Sequence, residues 1–124
     1  MIDQVDLGLT GLQVSRLCFG TGTQGWQGRS DQSVLGVDGL ARLLRFAFDH
    51  GVSFWDTADQ YGTHRHVAAA AAAVGRQHVT ITTKTVSRTA AAVEADVYRF
   101  LEELETEYID ILMLHCLTEG DWPQ

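Results

Sequence analysis

Asp56, Lys84 and His115 each stand at the end of a short strand-like run, and Tyr61 follows Asp56 by five positions. A phenol with a reference pKa near 10 is a weak acid at neutral pH. A neighbouring ammonium stabilises the phenolate and brings the proton within working range. A carboxylate beside that ammonium keeps it charged and aimed, and an imidazole on the other side can hydrogen-bond an oxygen on which charge develops. The chemistry such a set could perform is proton donation to a carbonyl oxygen.

Each residue alone has a plainer reading: Asp56 as a helix cap, Lys84 as a solvated charge, Tyr61 as an amphipathic core residue. Their combination depends on the elements that carry them. Residues 17–19 end at Gly20, 52–55 at Asp56, 78–83 at Lys84 and 109–114 at His115. These four runs are brief and largely apolar, as strands buried on both faces are. Parallel neighbours lie about 4.8 Å apart, which predicts Lys84 between the carboxylate and the imidazole, with Tyr61 folding back from the loop after Asp56.

Helical periods separate the strands. Val37, Leu40, Leu43, Leu44, Ala47 and Phe48 recur at spacings of three and four, with Gly51 as the stop. Val93, Val97, Phe100, Leu101 and Leu104 repeat the pattern behind a Thr89 cap. Between them, residues 67–74 form an alanine-rich helix stopped by Gly75, with small side chains that permit close approach to a sheet. Residues 5–16 alternate around Gly8, Thr10 and Gly11, predicting a hairpin with a two- to four-residue turn. Strict alternation of strand and helix predicts an α/β fold of parallel strands with right-handed crossovers. Either an open doubly wound sheet or a stretch of a (β/α)8 TIM barrel satisfies it. At 124 residues the chain has about half of the ~250 that a closed barrel requires.

The net charge of -7, with nine scattered Lys and Arg residues, argues against a nucleic-acid or membrane surface and favours a small-molecule partner. Residues 68–74, the longest apolar stretch, are far short of a membrane span, and no secretory signal pattern opens the chain, so a cytoplasmic location is expected. Cys18 and Cys116 are expected to be reduced thiols packed in or beside strands.

The run Phe54-Trp55-Asp56-Thr57-Ala58-Asp59-Gln60-Tyr61-Gly62 resembles the signature of the aldo-keto reductases. Ile81-Thr82-Thr83-Lys84 resembles the strand that brings that family's lysine, and the run from Tyr108 to His115 the strand that brings its histidine. Residues 11–21 are similar to its opening hairpin and first barrel strand. The resemblance implies a partial TIM barrel in a single partial domain, with residues 1–16 as hairpin and 17–124 as strands 1 to 4 and helices 1 to 3, the second half absent. It implies an oxidoreductase that reduces an aldehyde or ketone with NADPH, or NADH. Tyr61 would be the proton donor, Lys84 and Asp56 its tuning pair and His115 the substrate-orienting group. Gly20, Thr21, Gly22 and Asp56 would border the cofactor.

Two motifs compete. Residues 20–25 fit G-x-G-x-x-G, but residues 26–33 show no helical period, and Asp56 comes about ten residues later than a Rossmann fingerprint places it. His64-Arg65-His66 could suggest a metal pair, yet no further ligand set stands out, and a solvated helix start is expected. Two other functions stay open beside the reductase: a non-catalytic redox-sensing or binding module, and a half barrel that self-associates through exposed strand edges.

Overall fold

The fold is described from a computed structural model, for residues 1–121. Two short antiparallel strands, β1 (Gln4–Asp6) and β2 (Gln13–Ser15), form the predicted hairpin. It closes over the four residues 8–11, inside a bond from the Leu7 N–H to the Leu12 carbonyl. The hairpin sits at the amino ends of the following strands, where the Ser15 hydroxyl accepts the N–H groups of Ser53 and Phe54.

Four parallel strands follow: β3 (Cys18–Gly20), β4 (Phe54–Asp56), β5 (Thr80–Thr85) and β6 (Ile111–Leu114), paired in chain order. Their connections are α1 (Gly36–Asp49), α2 (His64–Val74) and α3 (Ala90–Glu103). The caps read from the sequence are in place. Gly51 and Gly75 take φ of 92° and 96° just past α1 and α2, and the Thr89 hydroxyl accepts the Ala92 N–H at the start of α3. No helix opens at residues 20–25, so these glycines do not form a dinucleotide fingerprint.

The core lies between the helices and one face of the sheet. Leu40 and Leu44 of α1, Val67, Ala70 and Ala71 of α2, and Phe100 of α3 close on Trp55 of β4 and Ile81 of β5. The alanines let α2 lie close to its neighbours, as their propensity and size predict. Arg76 pins the start of β6 to β5: it donates to the Asp110 carboxylate (2.7 Å), which also accepts the Ile81 N–H, and its guanidinium stacks on Tyr108.

One expectation holds in part and two fail. The strands are not all buried on both faces: Leu112, Met113 and Leu114 of β6 are 38, 47 and 45% exposed. Among the described residues no helix covers the outer face of β6, and no strand pairs with its far edge. Cys18 and Cys116 are free thiols but exposed rather than packed. His64 and His66, expected in solvent, are buried at 5 and 9% exposure: the His64 ring turns between α3 and β5, and the His66 ring turns to the Ser33 carbonyl ahead of α1. No helix among the described residues is long and apolar enough to cross a membrane.

Candidate active site

The pairing register decides what meets at the carboxyl edge of the sheet. Gly20 lies opposite Asp56, Asp56 opposite Thr82, and Lys84 opposite Met113, so side chains of matching parity emerge on one face. Lys84 Nζ donates to Asp56 Oδ1 at 2.6 Å and to the Thr57 carbonyl at 3.0 Å. The same nitrogen stands 3.4 Å from the Tyr61 phenol oxygen and 4.7 Å from the centre of its ring. The Lys84 side chain is only 12% exposed and Asp56 26%, so their charge pair is largely withdrawn from water, while the phenol is half-buried.

Tyr61 ends a single 3₁₀ turn, Asp59–Tyr61, and Gly62 follows in the left-handed region at φ 66°. A side chain on Gly62 would collide with the Gly28 carbonyl, so glycine permits both the conformation and the close approach. The Tyr61 ring lies against Gly22 and Gly25, and a β-carbon on either would overlap it. The neighbouring Gln60 side-chain carbonyl accepts the Gln27 N–H, tying the turn to the loop after β3.

His115 continues β6 by one residue, its N–H donating to the Thr85 carbonyl at 2.8 Å. Its ring meets that of Tyr61 edge to face, with centroids 5.5 Å apart. Burial, aided by the nearby Lys84 charge, pushes the imidazole below its ordinary value, so it is neutral at neutral pH. Its Nδ1 is buried and unpartnered among the described residues.

The four predicted chemical residues therefore converge. Of the residues expected at a cofactor, Gly20 ends β3 beside Asp56, with open space where a side chain would stand. Gly22 instead backs the Tyr61 ring. Thr21 departs from expectation, because all its polar groups are engaged within the protein. Its N–H and hydroxyl donate to the Asp56 carbonyl, its oxygen pairs with the Thr63 hydroxyl, and its carbonyl accepts from Ser30. Thr63 also bonds Thr57, so a buried chain of hydroxyls locks the ends of β3 and β4 together.

Sequence reasoning missed Gly25, Thr63 and a polar layer behind the sheet. Apart from the G-x-G-x-x-G spacing, nothing in the letters marks them. Asp59, His64 and Glu103 bring donor atoms within 4.8 Å of one another, a metal-like cluster. Arg99 already supplies cationic charge there, bonding Asp59 and Glu103, and both His64 ring nitrogens are taken, by Glu103 and Thr83. Burial pushes the His64 imidazole below its ordinary value despite Glu103.

Comparison with known proteins agrees with this geometry. Residues 16–121 match the model of the Aldo/keto reductase family. A probable aldo-keto reductase 1 of Glycine max is 30% identical over 92% of this chain and 36% of its own length. The holo form of an aldo-keto reductase from Bacillus halodurans superposes with a TM-score of 0.79 at 26% identity, over 98% of this chain and 42% of that one. An aldo-keto reductase from Klebsiella pneumoniae in complex with NADPH superposes with a TM-score of 0.75 at 23% identity, over 96% of this chain and 41% of that one. This chain thus spans about a third of the length of the Glycine max protein and under half of those two structures. Its four parallel strands form part of a TIM barrel, and the chain belongs to the aldo/keto reductase family of oxidoreductases.

Proposed function

We propose that this chain carries the proton-donating site of an NAD(P)H-dependent reductase that converts an aldehyde or ketone to an alcohol. The observation that supports this best is the position of Lys84 Nζ, 2.6 Å from the Asp56 carboxylate and 3.4 Å from the Tyr61 phenol.

The residues present fit the reacting end of a nicotinamide. Apart from its chain neighbours, nothing stands within 4 Å of where a Gly20 side chain would begin, and the donors beside that rim are those that carbonyl reduction needs. Gly20 and Asp56 would border the group. A bound reduced nicotinamide supplies the hydride that forms the new C–H bond at the carbonyl carbon.

Tyr61 transfers its phenolic proton to the carbonyl oxygen, completing the alcohol. The Lys84 ammonium stabilises the phenolate left behind, and Asp56 holds the ammonium in place. His115, neutral and adjoining the ring of Tyr61, donates a hydrogen bond that orients the substrate oxygen. The Klebsiella pneumoniae relative was solved with NADPH, which makes NADPH the first cofactor to test.

The test is cofactor consumption with an aromatic aldehyde, followed by absorbance. Tyr61→Phe should reduce turnover by about 10²-fold or more, the usual contribution of a positioned general acid. Equal rates for the two proteins would refute the assignment.

A further inference from the structure

The face of β5 opposite the candidate site carries a second set of polar residues. Thr83 and Thr85 flank Lys84 in sequence, point to the helices and are fully buried. The Thr83 hydroxyl pairs with His64 Nε2 at 2.7 Å, and His64 Nδ1 donates to Glu103 at 2.9 Å. The Thr85 hydroxyl donates to Asp96 at 2.5 Å, and Ser87 donates to the same oxygen at 2.7 Å. The strand segment that presents Lys84 is thus held at Thr83 by His64, which Glu103 of α3 backs, and at Thr85 by Asp96 of α3.

One guanidinium joins both grips to the turn that bears Tyr61. Arg99 donates to Asp96 at 3.2 Å and to Glu103 at 3.0 Å, its neighbours on the same helix face. It also makes a two-pronged contact with Asp59, at 2.8 and 2.7 Å, and Asp59 opens the 3₁₀ turn that ends in Tyr61. A planar fork can hold one carboxylate with two parallel bonds and still donate to two others, where an ammonium has only three donors. The Asp59 bonds above all push the guanidinium further above its ordinary value. Burial alone would raise the Asp96 carboxyl, but bonds from Thr85, Ser87 and Arg99 outweigh it and hold it below its ordinary range.

We propose that Arg99 is a positioning residue for the reaction: by binding Asp59, Asp96 and Glu103 together it fixes the Tyr61 turn against the Lys84 strand and so sets their separation. The proposal rests on the reductase reading of Tyr61 and Lys84. The partners differ in what they keep without Arg99. Asp96 retains Thr85 and Ser87, and Glu103 retains His64, whereas the bonds that the Asp59 side chain makes among the described residues all go to Arg99. Removing the guanidinium therefore frees the Asp59 end of the Tyr61 turn from α3, with the Gln60 bonds to Gln27 and Gly28 kept and the Lys84 strand left in place.

Nuclear magnetic resonance of the 124-residue protein tests this without requiring turnover. The Tyr61 ring shifts the α-protons of Gly22 and Gly25, and Tyr61→Leu gives the values without the ring. In Arg99→Gln those signals should shift toward the Tyr61→Leu values, while the Thr83 and Thr85 amides stay put. Asp59→Asn should do the same, and decides the matter if Arg99→Gln does not fold. Turnover should fall about tenfold or more in either variant at unchanged KM, with no additional loss in the double variant. Unmoved Gly22 and Gly25 signals in a folded Arg99→Gln or Asp59→Asn protein would overturn the proposal. A Tyr61→Phe protein of full activity would instead sink the reductase reading, leaving the resonance result to stand alone.

Discussion

The phenol ring of Tyr61 rests on the bare Cα of Gly22, in space that a β-carbon would fill. The glycine is not required by an unusual φ, since Gly22 is outside the positive-φ set. Its cost on substitution falls on the ring rather than on the backbone. Gly22→Ala should therefore leave the fold intact while pushing the phenol away from Lys84. We expect a melting temperature within about 5 °C of the parent, the scale of ~1 kcal/mol in a domain this size. Turnover should fall by about 10²-fold, as misplacing a reacting group by ~1 Å does. Thermal melting and steady-state kinetics on the same preparation check both halves.

Acid should weaken the fold through His64. Burial holds its folded pKa below the ordinary 6.5, against the opposing pull of Glu103. Between the two values the unfolded chain binds a proton that the folded chain does not, so stability present above pH 6.5 is lost as pH falls through that window. Urea midpoints at pH 7.5 and 5.5 should fall further in the parent than in His64→Gln. Parallel losses in the two proteins would exclude His64 as the source.

Arg76 offers a test of the β5 to β6 junction. Its side chain is 16% exposed and that of Asp110 12%, so Arg76→Ala strands a carboxylate that also accepts the Ile81 N–H. Breaking a buried pair from one side costs about 3 kcal/mol or more. Denaturant titration should register a loss of that size, with amide exchange rising first along β6.

The letters showed the four strand ends and their ionisable residues because each follows a β-favouring run and precedes a helical period. Parallel pairing then leaves little freedom in where Asp56, Lys84 and His115 point. Tyr61 was legible by its spacing from Asp56. The polar layer behind β5 was not, because Thr83 and Thr85 look alike in sequence to Thr82, and only pleat and helix packing decide which hydroxyls meet polar partners. His64 and His66 misled for the same reason: next to Arg65 they suggest a wet helix start, but the His64 ring lies between helix and sheet and the His66 ring against the Ser33 carbonyl. Thr21 sits at the expected rim, yet its bonding groups are consumed by Asp56, Thr63 and Ser30, a commitment that no local pattern reveals.

The exposed strand edges carry a further expectation. Among the described residues β3 and β6 each pair on one side, and Leu112 joins Val97, Leu101, Tyr108 and Ile109 in an apolar groove beside β6. Such a surface favours pairing with a second copy. Light scattering should show mass rising with concentration in the micromolar range, and Leu112→Lys should suppress it. A sharp monomeric mass throughout would contradict the expectation.

Isotope transfer tests the central assignment most directly, because it detects even a few turnovers. The protein is incubated with an aldehyde and NADPH deuterated at its transferable position, and the alcohol is analysed by mass spectrometry. The alcohol formed by the parent protein should carry one deuterium on the former carbonyl carbon, and its formation should be suppressed in Tyr61→Phe and Lys84→Met. Undiminished labelled alcohol from either variant, or none from a folded parent protein that binds NADPH, would contradict the assignment.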